Sequence, residues 1–390
     1  MAGAGTAVLD APVVPDPDAL IREARRRQHR RWTAIGAVLM VGTVIAATIG
    51  LRRHHALTPR QGVRAASPYP VIPHIPRVSG PQPQAPESLA IGPDGGLYIA
   101  DDGRDQILEL RHGTFRVVVG TGKVGFAGDG GPAIKAEIDQ PSDVAFRNST
   151  LYFTDYWNHR VRAVSPAGII TTVAGDGLIG WVADDTPAPA APLNPSALTF
   201  GPNRDLYVAS DQQVLRLNAD GTFTRVLGNQ KYDGIDGIDG PAIDGAADSA
   251  NGLAFDSRGD LYVFGSATKG LLMVDPHGSL RLLNGFDFYP RGSGGLATTA
   301  NGTAIAMNNN ELVRLSPHGT RVLIAFPSYQ HTFHGVKNFL PNGLAIGPDG
   351  TIYVDTAYGN GYVNKSAIVA ISPSGTSSLL WEQRPPATQG

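Results

Sequence analysis

The sequence predicts an all-β protein, a six-bladed β-propeller with four-stranded blades, preceded by one N-terminal transmembrane helix and a Pro-rich tether. First, the stretch Pro341-Asn-Gly-Leu-Ala-Ile-Gly-Pro-Asp-Gly-Thr-Ile-Tyr-Val-Asp355 recurs along the chain in related forms. Second, the 48 Gly and 30 Pro residues, with only 17% charged residues, are typical of many short strands joined by tight turns. Third, one segment near the N-terminus is long and apolar enough to span a bilayer.

The first 51 residues predict a membrane anchor. Residues 1–31 have no apolar period and end in a run of arginines, so we expect a disordered, basic, cytoplasmic tail. Residues 32–51 contain no charge and match a hydrocarbon core about 30 Å thick, with Trp32 where an interfacial aromatic would lie. Six arginines before this segment, against four between residues 52 and 64, favour an N-terminus inside the cell. A cleaved signal peptide is the alternative interpretation.

Residues 52–85 are rich in proline and predict a semi-extended linker between the anchor and the propeller of residues 86–390. The charge is unevenly divided, because residues 1–85 carry 11 Lys and Arg against 4 Asp and Glu, whereas residues 86–390 carry 21 against 30. An acidic propeller is not expected to bind nucleic acid. The absence of cysteine excludes disulfides, thiolate nucleophiles and Cys-ligated zinc.

Six copies of the repeat begin at residues 86, 141, 195, 250, 293 and 341, which is blade-length spacing. In the first copy, we expect strands at Leu89–Ile91, Leu97–Ala100, Gln106–Leu110 and Phe115–Val119. The Gly92-Pro-Asp-Gly95 segment between the first two strands predicts a tight turn. Four strands in each of six units predict a closed ring in which neighbouring blades cover each other's apolar faces.

The stretch from Leu151 to Gly175 resembles an NHL repeat, with Asn158-His159 at the pair that gives the family its name. The glycine-rich stretch from Gly120 to Ala133 is similar to the segment between blades in bacterial NHL proteins. The resemblance covers residues 86–383 and is looser in the fourth and fifth units. It implies the propeller fold but not one function, because such propellers include binding modules and enzymes.

The second residue of each repeat is expected to face the central channel. These residues are Glu87, Ser142, Ser196, Asn251, Gly294 and Asn342. Among them, Glu87, Asn251 and Asn342 are candidate ligands for a divalent cation such as Ca²⁺ or Mg²⁺, which binds through oxygens.

The candidate metal site resembles that of gluconolactonase and regucalcin-type propellers, which place a Glu, an Asn and an Asp on a divalent metal. Glu87 and Asn251 match the ligands of the first and fourth blades, whereas the fifth blade has Ser293-Gly294-Gly295 where that family has Asp. The alternative interpretation of Asn251 and Asn342 is that each precedes a glycine in a turn.

Three other groups of residues carry weaker signals. His331 and His334 form a His-x-x-His pair in a long loop, a pattern that could bind a metal but more simply predicts solvated surface histidines. The acids of Asp233–Gly240 recur every third residue, which does not fit an EF-hand and predicts another loop between blades. Strand-ending acceptors are expected to hold the adjacent turns, and they are Asp101, Asp155 and Asn308.

The repeat region has no nucleophile elbow, phosphate loop or dinucleotide fingerprint. The sequence therefore favours a membrane-anchored, extracytoplasmic module that binds or senses a protein or glycan and requires no cofactor. A metal-dependent hydrolase or lactonase at the end of the channel is the alternative.

Overall fold

The computed structural model divides the chain into two compact units, Met1–Ala66 and Ser67–Gly390. All residues that the structure describes belong to the second unit, and they are 78–229, 237–245, 249–265, 271–283, 295–308, 311–316, 319–325, 332–333, 336–337, 340–359 and 364–383. No helix within these ranges is long and apolar enough to cross a membrane. The predicted tail and transmembrane helix, residues 1–51, lie outside the described residues.

The first three blades are antiparallel sheets, each formed by four strands that are consecutive in the chain. Their strands are β1 (Pro86–Ile91), β2 (Leu97–Asp101), β3 (Gln106–Arg111), β4 (Thr114–Val119), β5 (Pro141–Arg147), β6 (Thr150–Asp155), β7 (Arg160–Val164), β8 (Ile170–Ala174), β9 (Pro195–Phe200), β10 (Leu206–Ser210), β11 (Gln213–Leu217) and β12 (Phe223–Leu227).

The last three blades repeat this arrangement, so the described residues form six four-stranded sheets. Their strands are β13 (Ala250–Phe255), β14 (Leu261–Gly265), β15 (Leu271–Val274), β16 (Leu280–Leu283), β17 (Leu296–Thr298), β18 (Ala304–Asn308), β19 (Glu311–Ser316), β20 (Gly319–Ala325), β23 (Leu340–Ile346), β24 (Ile352–Gly359), β25 (Asn364–Ile371) and β26 (Ser377–Glu382). A small hairpin of β21 (Thr332–Phe333) and β22 (Val336–Lys337) lies between the fifth and sixth blades. The sequence did not predict this hairpin.

The hairpins form where the sequence places glycine-rich turns. In the first blade, the Gly95 amide donates to the Gly92 carbonyl oxygen over 3.0 Å. Gly95 has φ +78°, a conformation that a residue with a Cβ rarely adopts. The turn sets the register in which Ile91 pairs with Leu97. This confirms the predicted turn and return strand.

Apolar side chains on neighbouring blades pack together to form the core. One cluster joins Ile107 of the first blade to Phe153 of the second. Comparable clusters join the second blade to the third, the third to the fourth, and the fourth, fifth and sixth to one another. Because each sheet hides its faces against its neighbours, most of the hydrophobic free energy of folding comes from contacts between blades.

The ring closes through side chains rather than a shared strand, since the first and last sheets each use strands from one end of the chain. Trp381 of β26 is 1% exposed and packs edge-on against Phe115 of β4, with ring centroids 6.2 Å apart. Its Nε1 donates to the Gln82 side-chain oxygen over 3.0 Å. Ser79 forms a parallel bridge with Thr114 on the outer strand of the first blade. Residues 78–85, assigned to the linker from sequence, therefore contact the propeller.

The segment 120–140 between β4 and β5 is bound tightly to the second blade. The Asn158 side-chain nitrogen donates to the Gly125 carbonyl oxygen over 2.7 Å and to both Asp155 carboxylate oxygens over 2.9 Å. Arg162 is fully buried and pairs with Asp129 and Asp155. The Asn of the Asn-His pair therefore fixes the loop between blades.

Candidate functional site at the channel mouth

Six inner strands surround the central channel. They are β1, β5, β9, β13, β17 and β23, and each contacts the inner strand of the next blade all the way round the ring. The pairing register shifts at the start of five of these strands, which is a β-bulge. A bulge re-aims the side chain of the extra residue and is common beside functional sites.

The bulges fall on the positions that the sequence selected. Glu87, Ser196 and Asn251 are each the unpaired residue at the start of their strand. Ser142 and Asn342 lie within the two-residue bulges of β5 and β23. Both Asn-Gly pairs therefore lie in strands, and the alternative interpretation that placed them in turns is wrong. Gly294, His331 and His334 lie outside the described residues, as does 233–236 of the acidic loop.

We define the channel mouth as Glu87, Ser142, Ser196 and Asn251 near the start of the inner strands, together with Asp355 of β24, which lies opposite the start of β23. Two of its members link neighbouring blades. The Ser142 hydroxyl donates to the Ser196 carbonyl oxygen over 3.0 Å, and the Ser196 hydroxyl donates to the Ala250 carbonyl oxygen over 2.5 Å. These serines therefore stabilise the ring rather than stand ready as nucleophiles.

Asn251 also contacts the backbone of its own strand. Its side-chain amide is best oriented with the nitrogen donating to the Ser249 and Ala250 carbonyl oxygens, over 3.3 and 3.2 Å. The amide oxygen is then directed away from these carbonyls. Asn251 is half-buried, so this oxygen is a candidate acceptor at the channel mouth.

Asp355 is the residue of the site that sequence reasoning missed. It lies in β24 opposite the bulge formed by Asn342 and Gly343. Its side chain is fully buried, and Oδ1 accepts a hydrogen bond from the Gly343 backbone amide. Oδ2 has no hydrogen-bond partner among the residues that the structure describes. A Cβ on Gly343 would lie 2.6 Å from Oδ1, so the glycine makes room for this carboxylate.

A signal for Asp355 was present in the sequence. The equivalent strand position in the second blade is Thr154, whose hydroxyl accepts the Asp143 amide over 2.8 Å, as Asp355 accepts the Gly343 amide. In the other blades this position is Ala100, Ala209, Phe264 and Met307, so only one of the six copies carries a charge there. Comparing the second strands position by position would have identified it.

Burial raises the pKa of both carboxyl groups at the channel mouth, and neighbouring carboxylates act further on Glu87. Burial raises the pKa of Glu87 well above its usual value, and the nearby carboxylates of Asp102, Asp355 and Asp101 raise it further. Burial raises the pKa of Asp355 to about 7. These raised pKa values favour the neutral carboxyl forms near neutral pH, and a cation or a hydrogen-bond donor at this end of the channel would favour the charged forms.

The strand-ending acids hold backbone segments, as expected from their repetition. Asp101 accepts the amides of Gln84 and Ala85 over 2.9 and 2.8 Å. Asp155 accepts the Asp139 amide over 2.8 Å. The sequence predicted that these acids hold the turn after their own strand. The bonds instead also hold the segment that precedes the blade.

A cavity of about 470 Å³ follows the inner strands away from the channel mouth. Its lining begins at Ser88, the residue after Glu87, and continues to aromatic residues at the far end of these strands, among them Phe146, Phe200 and Phe255. The cavity lining mixes aromatic and aliphatic side chains with polar ones, among them Asp143 and Asp256.

The described residues do not by themselves complete a metal site. No three His, Asp or Glu side chains within the described ranges are close enough together to hold a metal ion. Glu87 and Asp355 supply carboxylates, but one Asp355 oxygen already accepts a hydrogen bond. Ca²⁺ usually takes six to eight oxygens, so the proposed ligand set of Glu87, Asn251 and Asn342 stays a prediction.

Comparisons with known proteins support the fold. No protein-family profile matches the chain. A solved structure of a streptogramin B lyase has a TM-score of 0.52 at 13% identity, covering 79% of this chain and 87% of that one.

Two further solved structures have lower scores. A catalytically inactive virginiamycin B lyase from Staphylococcus aureus with quinupristin has a TM-score of 0.46 at 12% identity, covering 76% of this chain and 83% of that one. A proposed gluconolactonase has a TM-score of 0.47 at 16% identity, covering 70% and 85% of the two chains. The six four-stranded sheets and the likeness to the streptogramin B lyase structure identify the protein as a six-bladed β-propeller, with the NHL family as a compatible sequence resemblance.

Proposed function

We propose that the protein is a membrane-anchored, extracytoplasmic binding or sensing module that takes a protein or glycan ligand at the channel mouth. The observation that carries this proposal is the group of carboxylates around the half-buried Glu87, whose pKa is raised by burial and then by the charges of Asp102, Asp355 and Asp101. Asp355 Oδ2 is buried and has no hydrogen-bond partner within the described part of the chain, which adds to the cost of this group. Such a costly arrangement is expected at a functional site.

Two features support binding over catalysis. The hydroxyls of Ser142 and Ser196 are engaged with backbone carbonyl oxygens of the neighbouring blades. Asp101 is engaged with the backbone of the segment before the first blade.

The sequence-predicted helix at residues 32–51 and the linker after it support membrane attachment.

The proposal is tested with the full chain reconstituted in lipid nanodiscs and immobilised. Glycan arrays and extracytoplasmic protein fractions are applied to the wild type, to Glu87→Gln and to Asp349→Asn, which removes an exposed carboxylate from a turn. We expect a ligand that the wild type and Asp349→Asn retain equally and that Glu87→Gln retains at least tenfold less. Retention that does not depend on Glu87 would reject the channel mouth as the binding site.

A metal-dependent hydrolase or lactonase is the second candidate. Asp355 favours this candidate, because it gives the channel mouth a second carboxylate, in the sixth blade. The fifth blade has no counterpart in sequence of the Asp that gluconolactonase-type propellers have there. Calorimetric titration of the chelator-treated full chain with Ca²⁺ and Mg²⁺ tests it. Micromolar binding that is lost in Glu87→Gln would justify a screen of lactones and esters, and no binding would reject this candidate.

A further inference from the structure

The cavity of about 470 Å³ opens at the face opposite the channel mouth. Its exposed lining residues lie at or shortly after the ends of inner strands, and they are Pro202, Ser257 and Thr298. In the other direction, the lining ends at the buried residues Ser88 and Asp143. None of the five channel-mouth residues, all of them in the described part of the chain, lines the cavity. The cavity is therefore a second concave site with its own entrance.

A hydrogen-bonded layer closes the inner end of this cavity. The Ser88 hydroxyl donates to Asp143 Oδ1 over 2.5 Å, and the Leu198 amide donates to Asp143 Oδ2 over 2.8 Å. Phe146 at the entrance is three residues further along β5 than Asp143, which corresponds to a depth of about 10 Å. The turns between the first and second strands of all six blades border the entrance, and the structure describes each of them.

The walls are mostly apolar, and several of their polar side chains are already engaged. The Thr298 hydroxyl donates to the Phe255 carbonyl oxygen over 2.6 Å. Asp256 Oδ1 accepts the Arg258 and Asp260 amides over 2.9 and 3.0 Å. Each inner strand is the last strand of its sheet, so one backbone edge of each also faces the channel. A ligand that fits here needs an apolar body together with at least one polar group.

A guanidinium group lies at the entrance without a carboxylate partner. The Arg147 guanidinium carbon is 5.3 Å from the ring centroid of Phe200, which lines the cavity. Arg147 donates to the Arg204 carbonyl oxygen over 2.7 Å and forms no ion pair with any residue that the structure describes. By contrast, Arg258 pairs with Asp256 at 3.3 Å. Since a guanidinium has five N–H donors, Arg147 has donors left for an anion.

We propose that this cavity binds an organic acid with an apolar body, which enters from the face opposite the channel mouth and leaves its carboxylate at the entrance beside Arg147. The site goes beyond the proposed function, which concerns the channel mouth. Its charges set the direction of the ligand, because Asp143 at the inner end disfavours a second carboxylate there. At the entrance, the Arg147 guanidinium can form charge-assisted hydrogen bonds to a carboxylate. A neutral ligand of the same shape gains the apolar contacts but not these bonds.

The test is a ligand-observed NMR titration of the full chain in nanodiscs of neutral lipid, with empty nanodiscs as the blank. The probe is hydrocinnamate, with hydrocinnamyl alcohol as the neutral control and hydrocinnamylammonium as the cationic control. We expect hydrocinnamate to bind with a Kd on the order of 1 mM, given the affinity that so few atoms allow. We expect both controls to bind about threefold or more weakly, the contribution of a partly exposed ion pair. This comparison uses the wild type alone.

Two pairs of variants locate the site. Pro202→Trp places a bulky side chain at the entrance, whereas Pro348→Trp makes the same change at the same turn position of the sixth blade, which does not line the cavity. We expect Pro202→Trp to weaken hydrocinnamate binding by about fivefold or more and Pro348→Trp to leave it unchanged. Arg147→Gln should reduce the affinity for hydrocinnamate to that for the alcohol. Its control is Arg314→Gln, which removes an exposed arginine of β19 and should have no effect.

The proposal is overturned if hydrocinnamate fails to bind the wild type, binds no better than the alcohol, or is weakened equally by Pro348→Trp and Pro202→Trp. An advantage of the acid over the alcohol that persists in Arg147→Gln would also overturn it. Glu87→Gln should leave hydrocinnamate binding unchanged, and a loss there would place the probe at the channel mouth instead. Because the two sites lie on opposite faces, failure of the probe and failure of Glu87-dependent retention are separate results.

Discussion

Asp143 connects three blades through one buried carboxylate. Oδ1 accepts the Ser88 hydroxyl of the first blade over 2.5 Å and the Val144 amide of its own blade over 2.9 Å. Oδ2 accepts the Leu198 amide of the third blade over 2.8 Å. Burial raises the pKa of Asp143 to about 7, although these three hydrogen bonds act to lower it. The residue holds the inner strands together just below the channel mouth.

The raised pKa predicts a pH-dependent contribution to stability. Between about pH 4, the usual pKa of Asp, and pH 7, the folded chain holds a proton that the unfolded chain releases. The stabilisation is therefore fully present below pH 4 and lost as the pH rises through 7. Asp143→Asn lacks this proton, so we expect its deficit in free energy of unfolding to be largest near pH 4 and to shrink by on the order of a few kcal/mol by pH 8.

Urea denaturation of the wild type and Asp143→Asn across this pH range measures the deficit. Because other buried acids are common to both proteins, the difference between them isolates Asp143. A deficit that stays constant, or that grows toward pH 8, would contradict the raised pKa.

The segment 120–140 depends on a single buried arginine of the second blade. Arg162 donates to Asp129 Oδ1 over 2.7 Å, to the Glu137 and Ala127 carbonyl oxygens over 2.9 and 3.1 Å, and to Asp155 Oδ2 over 3.2 Å. Several N–H groups in one plane satisfy this set, and a lysine ammonium does not reproduce the geometry. The loop is therefore fixed by the shape of the guanidinium as well as by its charge.

Arg162→Lys is expected to loosen this segment without changing the charge of the protein. We expect a loss of about 2 kcal/mol or more in the free energy of unfolding, because several buried acceptors lose their donors. Hydrogen exchange should increase first in 120–140. Arg147→Lys is the matched control, since Arg147 makes one exposed bond to the Arg204 carbonyl oxygen. Equal effects of the two changes would contradict the anchoring role of Arg162.

The sequence predicted the elements well because turn chemistry and strand alternation are local. The Gly92-Pro-Asp-Gly95 turn and the strands beside it follow from residues adjacent in the chain. The β-bulges were not predicted, because a bulge depends on the pairing of two strands. Asp355 was missed for the same reason, since its environment is created by Gly343 opposite it and by the first blade across the ring closure.

At the scale of the whole molecule, the ring closes where the two ends of the propeller chain meet. The first and sixth blades share a cluster that includes Ile99, Leu108, Ile368 and Trp381. No strand is exchanged between these blades, because each sheet consists of consecutive strands. The repeated sequence predicts a ring, but which side chains close it depends on the particular residues at the two ends.

Trp381→Ala is expected to weaken the closure strongly. Removal of a large buried aromatic side chain costs about 3 to 5 kcal/mol, and the Nε1 bond to Gln82 is lost as well. Trp381→Phe should cost less, because it keeps most of the apolar contact with Phe115. Urea denaturation compares the variants, and limited proteolysis reports whether both ends of the propeller become accessible. A near-neutral Trp381→Ala would contradict closure by side-chain packing.

The central claim is that the channel mouth keeps carboxylates together at a cost because they serve a ligand. The most direct test is the melting temperature of the full chain with Asp355→Asn at pH 8, with no ligand added. Asparagine still offers an oxygen to the Gly343 amide but removes the repulsion with Glu87, so we expect a rise of about 2 °C or more. A lower melting temperature would contradict the claim, because it would show that the Asp355 charge stabilises the fold itself.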